Sequence, residues 1–87
     1  MRKVFKYRIP IDDSFVLKLP VGAKILMVQV QNQIPCIWAL IDPDAVYEDR
    51  QFRLAGTGHP ITEDNLAYIG SFRLYSWVIF HLFEVVL

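Results

Sequence analysis

Short runs in which apolar and polar residues alternate, each closed by turn chemistry, follow one another along the chain. Lys3 to Ile9 sets Phe5, Tyr7 and Ile9 on one face and Lys6 and Arg8 on the other. That two-residue period predicts a half-buried strand. Pro10 and the cluster Asp12-Asp13-Ser14 end it. Phe15, Leu17 and Leu19 alternate with Val16 and Lys18 in a second strand, and Pro20-Val21-Gly22-Ala23 is the next turn. The third strand, Lys24 to Gln31, sets Ile25, Met27 and Gln29 opposite Leu26, Val28 and Val30. Gln31-Asn32-Gln33 reads as a hairpin tip, because Asn32 tolerates a positive φ.

Pro35 opens a fourth strand, Pro35 to Ile41, at a position where a missing N–H is tolerated. Cys36, Trp38 and Leu40 share one face; Ile37, Ala39 and Ile41 share the other. Asp42-Pro43-Asp44 breaks it, and Ala45 to Asp49 reads as an acidic loop. Gln51 to Ala55 is a fifth strand with Phe52 and Leu54 inward. After Gly56-Thr57-Gly58-His59-Pro60-Ile61 and a loop or helical turn at Thr62 to Asn65, Leu66 to Leu74 is a sixth strand. Its alternation puts Leu66, Tyr68, Phe72 and Leu74 against Ala67, Ile69 and Ser71. Trp77 to Val86 is a seventh, apolar enough to be buried on both faces.

No long 3.6-residue period occurs, and strands recur at a spacing of roughly ten residues, which predicts an all-β fold, an antiparallel sandwich or small barrel of about seven strands. With 87 residues, the chain is expected to be a single domain, 1–87.

Composition narrows the function. The chain is 54% hydrophobic and 14% aromatic, which is incompatible with disorder. Nine basic residues balance nine acidic ones, so no nucleic-acid partner is expected. One cysteine and two histidines make a metal site an unsuitable reading, and no cofactor is expected. Met1 to Asp13 lacks a continuous apolar stretch, so no signal peptide is expected. Ser76 to Leu87 is too short for a membrane span of about 20 residues, and a cytoplasmic location follows as the default.

The neutral total hides a segregation. Residues 1–24 carry six basic residues against two acidic, and residues 42–49 carry Asp42, Asp44, Glu48 and Asp49 alone. A basic N-terminal hairpin facing an acidic loop is one reading; solvated strand faces and a polar loop are the plainer one. The four carboxylates lack calcium-loop spacing.

Gly56-Thr57-Gly58-His59-Pro60 is the least ordinary stretch. Its glycines permit positive φ and close approach of backbone to a ligand, and successive N–H groups in such a turn can hold an anion. Thr57 offers a hydroxyl, His59 a titratable donor, and Arg53 a fixed positive charge for a phosphate. The candidate ligand-binding set is therefore Arg53, Gly56, Thr57, Gly58 and His59, with Trp38 or Tyr68 as stacking partners. On spacing alone the plainer reading is preferred: a tight connection needing glycine for its dihedrals and proline for rigidity. Trp38 and Trp77 read first as core residues, Cys36 as a small buried hydrophobe, and His81 as a hydrogen-bonded core histidine.

Ala23-Lys24-Ile25-Leu26 with Val28 to Asn32, Pro35 to Asp42, Gly56 to Ile61, Tyr68 to Phe72 and Phe80-His81-Leu82-Phe83-Glu84 together resemble a family of short proteins found mostly in tailed bacteriophages and prophages, with no assigned function. The resemblance implies a cytoplasmic product made in an infected bacterial host. Counter-defence is the function class this context suggests: sequestration of a phosphorylated, nucleotide-derived signal. The alternative is a protein–protein interaction module, either a virion accessory or an inhibitor of a host protein. The excess of apolar residues adds the expectation of a homo-oligomer. A hydrolase using His59 and His81 ranks lowest, because no nucleophile–base pair is spelled out, so the chain is read as a non-enzyme.

Overall fold

A computed structural model describes all 87 residues. It contains seven strands: β1 (Lys3–Arg8), β2 (Ser14–Pro20), β3 (Lys24–Gln31), β4 (Ile34–Ile41), β5 (Tyr47–Gly56), β6 (Leu66–Leu74) and β7 (Val78–Val85). They form an all-β sandwich of a three-stranded sheet, β1-β4-β3, and a four-stranded sheet, β2-β5-β7-β6, with every pair antiparallel. No helix is long and apolar enough to cross a membrane.

The alternation read from the sequence sets the two inner faces. Ile37, Ala39 and Ile41 from β4 meet Phe52 and Leu54 from β5 and Leu82 from β7 in one buried cluster. Burying each large aliphatic or aromatic side chain contributes about 1.5–3 kcal/mol, the main stabilising term for a sheet pair. The sheets come close where β3 passes β6. Gly70 is required there: a Cβ at that position would lie 2.9 Å from Val28 Cγ1.

One end of the sandwich closes on an ion pair. Arg50 precedes Phe52 on the inward face of β5, and Glu84 is the partner of Phe52 on β7. The guanidinium grips the carboxylate twice, at 2.6 and 2.8 Å, and donates to the Ala23 carbonyl. The side chains are only 17% and 22% exposed. The Glu84 hydrogen bond, against the cost of burial, holds the Arg50 guanidinium even more firmly protonated than usual.

Several expectations need correction. β1 and β2 do not form a hairpin; the Pro10–Asp13 connection carries the chain from one sheet to the other. Of the expected acidic loop Ala45 to Asp49, residues 47–49 are strand, because β2 is long enough to pair with them from Lys18↔Asp49 to Pro20↔Tyr47. Lys18 meets Asp49 there at 2.8 Å, an exposed cross-strand pair worth little. Of the two readings of Thr62 to Asn65, the loop is the one found. β7 is not buried on both faces: no second sheet covers the outer side of its own, where His81 and Phe83 are half-buried. Trp77 is no core residue; it lies outside β7, 79% exposed.

Candidate functional site

The outward face of the four-stranded sheet follows from the register, since direct antiparallel partners point to the same side. His81 on β7 sits between Ala55 on β5 and Ser71 on β6. Phe83 sits between Arg53 and Tyr68. Ile79 is opposite Arg73.

A bulge at Ile69 makes this face what it is. The ladder steps from Tyr68↔Phe83 to Gly70↔Leu82 across the extra residue. Strict alternation would put Tyr68 and Ser71 on opposite faces. The bulge turns both outward, three residues apart, while Phe72 and Leu74 stay buried. Tyr68 therefore leaves the face of Phe72 and Leu74, with which the alternation grouped it, and packs edge-on to Phe83 with ring centroids 5.6 Å apart.

Four side chains, from two strands and the turn after β5, then link up. Tyr68 Oη is 2.7 Å from Ser71 Oγ, Ser71 Oγ is 2.7 Å from His81 Nδ1, and His81 Nε2 is 2.8 Å from Thr57 Oγ1. With the ring proton on Nε2, the chain runs one way: Tyr68 donates to Ser71, Ser71 to Nδ1, and Nε2–H to Thr57. The other tautomer reverses the two bonds to the ring, so that Nδ1–H donates to Ser71 and Thr57 donates to Nε2. Ser71 has the reach to pass a proton to Nδ1. The far nitrogen meets a hydroxyl, not the carboxylate that orients the histidine of a serine triad and stabilises its imidazolium.

The glycine loop lies at the same end of the sheet. Gly56 pairs with Phe80, and Thr57 N–H donates to the Ile79 carbonyl at 3.1 Å. His59 N–H donates back to the Gly56 carbonyl at 3.0 Å, and Gly58 has φ +89°. The His59 ring rests on Gly56, where a Cβ would stand 3.0 Å from its Cε1. The glycines thus serve the turn itself, and two loop amides are already engaged. His59 is no partner of His81, whose ring nitrogens both meet hydroxyls.

Arg53 is engaged too. β5 and β6 both pair antiparallel to β7, so the segment between Gly56 and Leu66 must return the length of the sheet. Arg53 straps that segment down, donating to Glu63 at 2.9 Å, to the Pro60 carbonyl at 3.0 Å and to the Leu54 carbonyl at 2.7 Å. Glu63 accordingly has a carboxyl held below its usual range, first by its own backbone amide and then, against desolvation, by the Arg53 charge.

Of the seven residues expected to bind a ligand, the hydrogen-bonded chain joins Thr57 and Tyr68. Gly56, Gly58 and His59 build the turn beside it, and Arg53 braces the returning segment. Trp38 belongs elsewhere: it shares a face with Cys36 and Leu40, away from the core-facing Ile37, Ala39 and Ile41, on the outside of the other sheet. The thickness of the sandwich separates it from the loop.

Arg73 and the turn after β6 complete the picture. Arg73 follows Ser71 by two on the outward face of β6, with no carboxylate partner. The adjoining turn holds Tyr75 and Ser76 at φ 57° and 73°, and exposes Tyr75 and Trp77. Left-handed backbone at residues other than glycine or asparagine costs on the order of 1 kcal/mol or more each and concentrates at functional sites. Ser71 and Arg73 were visible as polar positions of one strand face; their meeting with His81 depends on a non-local register. Open hollows of about 260 to 450 Å³ lie elsewhere on the surface, none lined by His81 or by the glycine turn.

Neither curated proteins nor solved structures yield a match. The family comparison does: residues 1–87 match throughout, and the chain belongs to the family described as Domain of unknown function (DUF7352).

Proposed function

We propose that the protein is a binding module for a small phosphorylated ligand with an aromatic base, held on the outward face of the four-stranded sheet. The observation that carries this reading is the chain Thr57–His81–Ser71–Tyr68 with Arg73 beside it. A hydroxyl at the end of the chain keeps a free hydrogen for a phosphate oxygen, held in place by the imidazole behind it, and Arg73 supplies a planar, permanent charge. Trp77 and Tyr75 offer exposed rings at the same end, on which a base can stack. Binding is favoured over catalysis because Thr57 occupies the place a triad gives to a carboxylate. The resemblance to phage and prophage proteins adds nucleotide-derived defence signals to the ligands of this chemistry.

The test is a thermal-shift screen against nucleotides, cyclic nucleotides and ADP-ribose derivatives. A ligand at about 100 times its Kd adds roughly 2.7 kcal/mol, a shift on the order of ten degrees for a domain this small. One compound class should give such a shift, and Arg73→Ala or His81→Ala should abolish it. A flat screen, or a shift that survives both variants, overturns the reading.

A further inference from the structure

We propose that β1 is a docking edge for an extended acidic segment of a partner protein, which adds to the three-stranded sheet as a further antiparallel or parallel strand. β1 hydrogen-bonds to β4 alone, so its outer row of N–H and C=O groups has no strand partner in the chain. Such an edge is a template for strand addition. The other three edges are less open. β3 and β6 are interrupted by bulges at Leu26 and Ile69. β2 ends in Pro20, and its one cation, Lys18, already meets Asp49. β1 is regular over its whole length.

Charge identifies the occupant. Residues 1–9 hold Arg2, Lys3, Lys6 and Arg8 and no acidic residue. The ion pairs of the molecule are Lys18–Asp49, Arg50–Glu84 and Arg53–Glu63, so none neutralises β1. Lys6 makes only a neutral contact, to Gln31. Two copies pairing through β1 would oppose like charges, which rejects self-association at this edge. An acidic strand would be attracted. The edge also leaves apolar surface to cover on both sides. Phe5 points toward the core yet stays 39% exposed, and Val4, on the opposite face, is exposed as well. The matching segment therefore alternates acidic residues, which meet Lys6 and Arg8 on the outer face beside Val4, with apolar residues, which cover Phe5 on the core-facing side.

The experiment uses the full chain and a fluorescein-labelled peptide of about eight residues alternating glutamate and valine, long enough to span β1. Fluorescence anisotropy should show saturable binding that weakens with added salt. Hydrogen exchange should slow at β1 amides on addition of peptide. Lys6→Glu/Arg8→Glu, at exposed positions, should weaken binding about tenfold or more, as reversed charges at an interface do, with the melting temperature checked in parallel. Two control peptides keep the test independent of that variant: one with lysine for glutamate, and one with proline at alternate positions, which cannot form a strand. Absence of binding overturns the proposal. So does equal binding of either control, which would mean general stickiness or bare electrostatic attraction, and so does wild-type self-association through β1.

Discussion

Ser71 Oγ lies 2.7 Å from His81 Nδ1 across the β6–β7 ladder, where the two residues are direct register partners. The contact fixes the imidazole between two strands and sets its far nitrogen on Thr57. Removing the hydroxyl leaves a half-buried ring nitrogen without its partner. Ser71→Ala is expected to cost about 1 kcal/mol, the usual net value of one such bond. Urea denaturation should show a lower midpoint with an unchanged slope. Ser71→Thr, which keeps the oxygen, should recover most of it. Equal midpoints for wild type and Ser71→Ala would mean that the bond does not hold the ring in solution.

Gly70 against Val28 tests the packing between sheets. Gly70→Ala forces a methyl against Val28 Cγ1, and overpacking of this kind costs about 1–3 kcal/mol. Val28→Ala alone opens a cavity. The double variant should lose less than the two single losses added together, because each relieves the other's defect. Strict additivity in the unfolding free energies would show that the two residues do not touch.

The Arg50–Glu84 pair is a different case from the exposed Lys18–Asp49 pair. Glu84→Ala strands a largely buried guanidinium and should destabilise by about 3 kcal/mol, a fall in Tm on the order of ten degrees or more for a domain of this size. Asp49→Ala should change Tm by little, since an exposed pair is worth about 0–1 kcal/mol. Calorimetry on the two variants separates them; equal losses would contradict the assigned burial.

Acid should loosen the returning segment. The Glu63 carboxyl is held below its ordinary value of 4.5 in the folded chain. A lowered folded value means that the stabilisation is fully present above the unfolded value and is lost as pH falls through the folded one. The stability difference between wild type and Glu63→Gln should thus be constant near neutral pH and shrink below about pH 4.5. A difference that grows on acidification would have the wrong sign for this strap.

Much of the fold was legible because alternation and turn residues are local signals. Phe52 with Leu54 took the inward face their spacing predicts, and the two faces of β4 separated as the alternation has them, although the core took Ile37, Ala39 and Ile41 rather than the face of Trp38. Two misreadings share a cause, since each depends on a partner strand. Tyr47, Glu48 and Asp49 look like part of an acidic loop until β2 is laid beside them. Tyr68 reads as sharing a face with Phe72 and Leu74 until the bulge at Ile69 shifts the phase of β6. The site was legible in fragments. Thr57 stood out within the glycine turn, but Arg53, which suggested a phosphate ligand, is committed to Glu63 and the carbonyl of Pro60. Ser71 and Arg73 carried no local signal beyond polarity, and Trp77 read as core because its neighbours Val78 and Ile79 are strand residues.

The binding claim is tested most directly by a backbone-amide NMR titration of the protein with ADP and ADP-ribose. The account predicts that shift changes with either compound gather at Thr57, Ser71, Arg73, Trp77 and His81, and that Arg73→Ala removes them while the rest of the spectrum stays folded. No change up to millimolar ligand, or changes gathered around Cys36 and Trp38 on the other sheet, would contradict it.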